Sequence, residues 1–212
     1  MHREVKIAII YYSFTGNTAK LAGVVAEGAR EIEKTNVGLF QLPEVSNGNH
    51  EGKAPDQNPV ATVDDLVNSD GVAFGSPTHF GSYAYQWKAF IDQMTPVWLS
   101  NKLVNKPVAF FCSAGSLHGG EEVTLISMMI PLMNLGMIPV GIPYPIQGEN
   151  PDFDAGSPYG AISVSGHTHA NSLTDADKKV ARILGNRLAI MAHILNCNCE
   201  ECSRLIPLMK KL

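Results

Sequence analysis

The sequence predicts an α/β protein built on a doubly wound parallel sheet. Five short apolar runs rich in β-favouring residues recur along the 212 residues, and segments with apolar residues at helical spacing separate them. The runs lack apolar–polar alternation, as expected for strands that are covered on both faces. Because connections between parallel strands are right-handed, this succession predicts one sheet with helices on both faces.

The predicted elements have recognisable ends. The strands are residues 7–12, 37–42, 71–75, 108–112 and 138–142. Thr62 precedes Asp65 by three residues, and Thr174 precedes Asp177 in the same way. A hydroxyl and a carboxyl at this spacing form a capping box, so a helix is predicted to begin at each place.

Prolines and long polar segments interrupt this pattern. Pro96 is expected to close the helix that begins near residue 83, and Pro131 to kink the helix after the fourth strand. Residues 43–59 are predicted to be a loop or insertion, and residues 143–172 an unusually long loop. Loops of that length in a compact domain are commonly functional or in contact with another subunit.

Charge and cysteine content exclude several classes of protein. With 16 basic and 20 acidic side chains and no block of Lys or Arg, nucleic acid is not expected as a partner. The uncharged stretch 123–148 is long enough to span a membrane, but prolines interrupt it, and we interpret it as a buried helix followed by a buried strand. No signal peptide is recognised, and four cysteines do not make a secreted disulfide framework. We therefore expect a cytoplasmic protein without a membrane span.

Three loops follow predicted strands and consist mainly of hydroxyl-bearing residues and glycines. They are residues 13–18, 76–83 and 113–120. Ligands of doubly wound sheets bind beyond the carboxyl ends of the strands, at the point where the strand order reverses. The three loops are therefore the candidate binding site.

The first loop has the chemistry of an anion site. It joins a strand to a helix, where free backbone N–H groups and the helix dipole favour an anion, and its hydroxyl and amide side chains add donors. This suits the phosphate of a larger ligand. Neither a Walker loop nor a dinucleotide-binding fingerprint is present, and an ordinary capped loop is the alternative.

Other enzyme classes lack essential residues. A thiol phosphatase that used Cys112 would need an arginine where His118 stands, so we interpret Cys112 as a small buried apolar residue. No G-x-S-x-G motif supplies a hydrolase nucleophile. Phe80, Trp98 and Tyr159 are predicted to lie in loops, where they either stack on a planar ligand or pack against the protein.

Four motifs together resemble the WrbA family. They are the loop 13–18, the segment 75–81 (GSPTHFG), the segment 113–120 (SAGSLHGG) and the segment 156–161 (GSPYGA). The likeness covers roughly residues 5–195 in matching order. It implies a flavodoxin-like, doubly wound, five-stranded parallel sheet of order 2-1-3-4-5. It also implies a type IV, FMN-dependent NAD(P)H:quinone oxidoreductase that assembles as a homotetramer.

The resemblance also implies the site residues. Those expected to bind FMN are Ser13, Phe14, Thr15, Gly16, Asn17, Thr18, Thr78, His79, Phe80, Ser113, Ala114, Gly115, Ser116, Leu117, His118 and Asn134. Trp98 is expected to stack on substrate, and Thr15 matches a position that contacts the nicotinamide nucleotide. His79 and His118 are weaker candidates for polarisation or proton supply. The family often has arginine at the position of His79 and histidine at that of Asn134.

The implied reaction is a two-electron transfer from NAD(P)H through FMN to a quinone, both substrates using one pocket in turn. A flavodoxin-type electron carrier without its own substrate site is the main alternative. Such carriers usually have a strongly acidic surface, and a net charge of −4 is weak. A non-enzymatic interaction protein is a second alternative that no feature of the sequence supports.

The chain is predicted to divide into a flavodoxin-like FMN-binding domain, residues 1–196, and a cysteine-containing tail, residues 197–212. The side chains of Cys197, Cys199, Cys202 and His193 are of the types that bind zinc, which makes them a weak candidate metal site. A disulfide or free thiols are the alternatives. No metal is predicted elsewhere.

Overall fold

The computed structural model describes residues 3–44, 58–144, 155–166 and 172–197. The strands are β1 (Val5–Tyr11), β2 (Thr35–Gln41), β3 (Gly71–His79), β4 (Ser82–Tyr83), β5 (Pro107–Ala114), β6 (Ile138–Pro139) and β7 (Ala161–Val164). The helices are α1 (Asn17–Arg30), α2 (Val63–Asn68), α3 (Tyr85–Ile91), α4 (Thr95–Leu99), α5 (Glu121–Asn134) and α6 (Asp175–Leu195). A 3-10 turn, Asp92–Met94, joins α3 to α4.

The central sheet has the order β2-β1-β3-β5-β6, and all of these strands are parallel. This confirms the predicted fold class and the order of five strand positions. The predicted count of five strands was wrong, because the described chain has seven. Strand β4 turns back antiparallel on β3, and β7 pairs with β5 on the same edge as β6.

The fifth position of the sheet is shared by two short strands. Strand β6 pairs with Pro107 and Val108 at the start of β5, and β7 pairs with Phe111 to Ala114 at its end. The prediction of one strand over residues 138–142, followed by a structureless loop to residue 172, was therefore wrong. The chain leaves the sheet after β6 and returns to the same edge, so β7 lies within the predicted loop.

A separate apolar core lies on each face of the sheet. Ala8 and Ile10 of β1 face the core that α3 and α5 cover, and Ile7 and Ile9 face the core that α1 and α6 cover. All four side chains are buried. Burial of both faces explains why the sequence of the strand does not alternate.

Helices α1 and α6 pack with their backbones almost in contact. A Cβ atom at Gly28 would lie 1.9 Å from Arg182 O, and one at Gly185 would lie 1.9 Å from Val25 O. No side chain fits at either position without moving the backbone. These glycines bring the two helices together against the sheet.

The helix starts agree only in part with the predictions. Both capping boxes are confirmed: Thr62 Oγ1 accepts from Asp65 N, and Thr174 Oγ1 accepts from Asp177 N. The prediction that Pro96 closes a helix was wrong. Pro96 lies in the first turn of α4, where a missing N–H does no harm.

The long uncharged stretch forms α5 and then β6, as the predicted helix followed by a strand. The prediction that both are buried was wrong, because Val123, Ile130 and Met133 of α5 are exposed and both residues of β6 are only partly buried. Within the described part of the chain, every helix is too short or too polar to cross a membrane.

Candidate functional site

The three predicted loops meet at the carboxyl edge of the sheet. Thr18 Oγ1 and Ser113 Oγ are 2.7 Å apart and form a buried hydrogen bond, which joins the first loop to the third. A Cβ atom at Gly120 would lie 2.7 Å from Gly81 Cα, so the third loop also touches the second. The strands β1, β3 and β5, which lead into these loops, are neighbours in the sheet.

The first loop is shaped by its own side chains. Ser13 Oγ accepts from Ala19 N at 3.1 Å, and Asn17 Nδ2 donates to Thr15 Oγ1 at 3.1 Å. Gly16 has a φ of 87°, which favours glycine, and leads directly into α1. The N-cap residue Gly16 has no side chain to bond the helix start, and Ser13 takes the N–H of Ala19. The N–H groups of Asn17 and Thr18 are therefore the ones available to an anion.

The sequence analysis missed a cation at this loop. Lys20 Nζ donates to Asn17 Oδ1 at 3.4 Å, which places an ammonium group beside the first turn of α1. The signal was present in the sequence, because residues three apart on a helix share a face.

The second loop presents an aromatic side chain and a hydroxyl. Strands β3 and β4 form a tight hairpin in which Thr78 pairs with Tyr83. At its tip Phe80 has a φ of 53° and is fully exposed. Thr78 Oγ1 is buried beside the Cys112 thiol, with which it interacts, and no other described group bonds it. The hairpin therefore offers a stacking surface and a hydroxyl group.

The third loop is held at its base and exposed at its tip. The backbone N–H and the hydroxyl of Ser165 both donate to Ala114 O, at 2.9 and 3.1 Å. Ser113 is buried, whereas Leu117 and His118 are exposed, and His118 has a φ of 57°. The base of the loop thus holds the Ser113 hydroxyl at the site, whereas the tip projects away from the sheet.

Cys112 lies beneath this loop and is not a nucleophile. It is fully buried, and its Sγ donates to Glu121 O at 3.6 Å. Burial raises the pKa of the thiol to about 12, so it stays protonated at neutral pH. The interpretation of Cys112 as a buried apolar residue is confirmed.

A polar cluster supports the first loop from behind. Tyr12 donates to Glu44 Oε1 at 2.9 Å, and Gln86 Nε2 donates to Glu44 Oε2 at 3.0 Å. Burial, and next the hydrogen bond to Glu44, raise the pKa of the Tyr12 phenol. The end of β1 is therefore tied to α3 just before the loop begins.

The three loops lie within the part of the chain that matches a known family. The model of the NADPH-dependent FMN reductase family matches residues 5–150, which include all three loops. The chain belongs to this family. This confirms the resemblance to WrbA. The cofactor of the protein is FMN.

Curated relatives match nearly the whole chain. An NAD(P)H dehydrogenase (quinone) of Syntrophobacter fumaroxidans is 37% identical over 204 residues, which cover 92% of this chain and 100% of that one. A second protein of that name, from Geotalea uraniireducens, is 35% identical over 198 residues, covering 89% and 98%.

Solved structures confirm the flavodoxin-like fold. A WrbA-like flavodoxin from Agrobacterium tumefaciens superposes with a TM-score of 0.65 at 23% identity, over 89% of this chain and 97% of that one. A flavodoxin from the domain Archaea superposes with a TM-score of 0.59 at 19% identity, over 89% and 99%. At these identities the likeness concerns the fold alone.

The residues present fit FMN. The uncapped start of α1 suits the phosphate, and the buried Thr78 hydroxyl suits a ribityl hydroxyl. The exposed Phe80 ring suits a planar ring system.

Two residues that were expected at the site lie away from the three loops in the fold. Trp98 and Asn134 line a shared cavity of about 260 Å³. Asn134 ends α5, and the 14 residues of that helix separate it from the third loop by about 20 Å. Strand β6, which follows α5, pairs with Pro107 at the start of β5, so it lies at the amino ends of the strands, opposite the loops. Trp98 lies on α4 and not in a loop, so that prediction was wrong.

The fourth motif lies beside β5, and its Gly156 lines a cavity together with Leu117 and His118 of the third loop. Tyr159 precedes Gly160, where a Cβ atom would lie 2.1 Å from Phe110 O in the middle of β5. In the tail, Cys199 and Cys202 lie outside the described residues, so the zinc site stays a prediction. His193 makes a 3.0 Å hydrogen bond with Thr35 Oγ1.

Proposed function

We propose that this chain is an FMN-dependent NAD(P)H:quinone oxidoreductase. The observation that carries the proposal is the uncapped first turn of α1, held against the third loop by the Thr18–Ser113 hydrogen bond. The full-length match to curated proteins named NAD(P)H dehydrogenase (quinone) supports the substrate class.

The role of the chain's own residues is to bind and orient the cofactor and the substrates. FMN, when bound, supplies the hydride-accepting and hydride-donating chemistry. The backbone N–H groups at the start of α1 and the Lys20 ammonium would hold the phosphate, and the Thr78 hydroxyl would bond the ribityl chain. The exposed ring of Phe80 would pack against the planar ring of the cofactor.

Substrates bind one after the other in the same place. The nicotinamide and the quinone are both planar, so the same aromatic surface accepts each in turn. His79 and His118 are both exposed at the rim of the loops, where an imidazole N–H is positioned to supply a proton to a quinone oxygen. No protein nucleophile takes part.

An electron carrier of the flavodoxin type is the less favoured function. A carrier needs FMN but no second substrate surface, whereas the curated relatives that match 92% and 89% of this chain bear the name of a dehydrogenase. The weak net charge of −4 also differs from the strongly acidic surface that carriers use for docking.

The active form is proposed to be a homotetramer in the cytoplasm. Val123, Ile126, Ile130 and Met133 form an exposed apolar stripe along α5, and Trp98 and Leu99 of α4 are also exposed. A contiguous apolar face of this kind is typical of a protein contact. A second copy seated on it explains how Trp98 and Asn134 reach a flavin that their own chain holds about 20 Å away.

An anaerobic titration tests the function. FMN-loaded protein is titrated with NADPH and then NADH while the visible absorbance of the flavin is followed, and benzoquinone is added last. We expect nucleotide to bleach the flavin and quinone to restore it. If neither nucleotide bleaches FMN that is demonstrably bound, the carrier function replaces the oxidoreductase. If FMN does not bind, both the oxidoreductase function and the carrier function are excluded.

A further inference from the structure

A second cavity lies on the far side of the third loop. It has a volume of about 340 Å³, within the range of small-ligand pockets, and we call it the Glu121 pocket. Its walls are the loop tip, the first turn of α5, strand β7 and the first turn of α6. The lining residues used below are Leu117, His118, Glu121, Glu122, Val164 and Asp177.

This pocket is separate from the proposed flavin site. In the sheet, β5 has β3 on one side and β7 on the other. The flavin loops follow β1, β3 and β5, whereas Val164 of β7 forms the floor of the Glu121 pocket. The two sites therefore lie on opposite sides of the third loop.

Glu121 is the unusual feature of the pocket. Glu121 is one of the residues that line the cavity, it is only 3% exposed, and its Oε2 has no hydrogen-bond partner among the described residues. Asp177, also buried there, uses its carboxylate to accept from Thr174 N at 2.9 Å. A buried carboxylate oxygen left without a donor is strongly unfavourable, so an absent donor is implied.

The surrounding chemistry defines that donor. Glu122 and Asp177 add further carboxylates, Leu117 and Val164 add apolar surface, and no Lys or Arg is among the described residues that line the cavity. The acidic side chains repel phosphate, which excludes a nicotinamide nucleotide. A ligand complementary to this lining carries a positively charged N–H donor on a short apolar chain.

We propose that the Glu121 pocket binds a small organic cation, an aliphatic primary ammonium compound whose N–H group donates to Glu121 Oε2. Leu117 and His118 belong both to this pocket and to the third flavin loop. Cation binding and FMN binding are therefore coupled through the loop, and each ligand changes the affinity of the other by the same factor.

Calorimetric titration of the FMN-loaded full-length chain with n-butylammonium chloride tests the proposal, with the ionic strength held constant. We expect one cation bound per chain, no binding of n-butanol, and a loss of affinity of at least about tenfold in Glu121→Gln. Glu33→Gln is the matched control, because this exposed carboxylate is not among the residues that line the pocket, and the affinity of the variant should stay within about twofold of the unaltered protein.

Three results would overturn the proposal: no binding to the unaltered chain, unchanged binding in Glu121→Gln, or an equal loss in Glu33→Gln, which would indicate diffuse surface attraction. Circular dichroism and flavin absorbance verify that each variant is folded. If Glu121→Gln does not fold, Glu121→Asp replaces it, with the same tenfold criterion. The heat of cation binding does not depend on quinone reduction, so failure here is distinguishable from failure of the proposed function.

Discussion

Single hydroxyl groups decide how the loops of the site are held together. Thr18 is the last residue of the first loop, and its hydroxyl is bonded to Ser113 in a buried position. Neither partner contacts water, so each depends on the other for its hydrogen bond. The separation of the first and third loops, and hence the shape of the proposed FMN site, rests on this pair.

Replacing Thr18 with Val tests this pair. Thr18→Val keeps the side-chain shape but leaves the Ser113 hydroxyl buried without a partner, which costs about 1–3 kcal/mol. We expect FMN to bind about tenfold more weakly, measured by quenching of flavin fluorescence. Thr35→Val is the control: it removes the hydroxyl bonded to His193, away from the loops, and should leave FMN affinity unchanged. Equal affinities in the two variants would contradict the role given to Thr18.

Cys112 makes stability depend on pH in the alkaline range. Burial raises its pKa in the folded protein to about 12 from an ordinary value of 9.0. Above pH 9 the unfolded chain therefore loses a proton that the folded chain keeps, and the free energy of unfolding falls as pH rises toward 12. Cys112→Ala removes this contribution, so its free energy of unfolding should fall less steeply between pH 8.5 and 10.5. Urea titrations at these pH values measure it, and parallel slopes would refute the assignment.

At the scale of elements, the close approach of α1 and α6 fixes the face of the sheet opposite α5. Gly28 and Gly185 let each helix backbone contact the other, and Arg182 pairs with Glu27 and Glu31 at the edge of the contact. Those exposed ion pairs contribute little to stability. The glycines determine the packing distance.

Gly185→Ala should destabilise the protein by about 1–3 kcal/mol or more, because its Cβ would overlap Val25 O. Gly23→Ala is the matched control within α1: nothing lies within 4 Å of its Cβ position, so alanine should stabilise the helix by about 0.5–1 kcal/mol. Thermal unfolding followed by circular dichroism measures both. A stabilising Gly185→Ala would show that the helices separate easily.

At the scale of the whole molecule, one chain holds the proposed flavin loops at one edge of the sheet and Trp98 with Asn134 at the other. The apolar stripe on α5 runs between these two regions. Association through this stripe would bring the two groups of residues together across copies of the chain. Assembly and activity are then coupled.

Ile130→Glu places a charge in the middle of the stripe and should convert the proposed tetramer to smaller species in size-exclusion chromatography with light scattering. FMN affinity should hold within about threefold, whereas quinone reduction should fall with the assembly. Ile190→Glu, at an exposed apolar position on α6, is the control and should leave the mass unchanged. If the Ile130→Glu protein is still a tetramer, α5 is not part of the interface.

Much of the architecture follows from local pattern. The unalternating runs predicted parallel strands, and the spacing of Thr62 to Asp65 and of Thr174 to Asp177 predicted two helix starts that the structure confirms. Pro96 was misjudged, because a proline closes one helix or opens the next according to which neighbours supply hydrogen bonds. Strand β7 was missed, because a four-residue strand within a long polar segment has too few residues to produce a pattern.

By itself the sequence determined the fold class and the loops that form the candidate site, because strand burial, helix caps and hydroxyl-rich loops are local properties of the chain. The strand order was implied by the resemblance to WrbA and not by a local pattern. Only the tertiary structure decided which of these residues are neighbours. It joined Thr18 to Ser113, separated Asn134 from the loops by the length of α5, and buried Glu121 without a donor. These are contacts between distant segments, and they depend on how the sheet orders its strands, which no short stretch of sequence encodes.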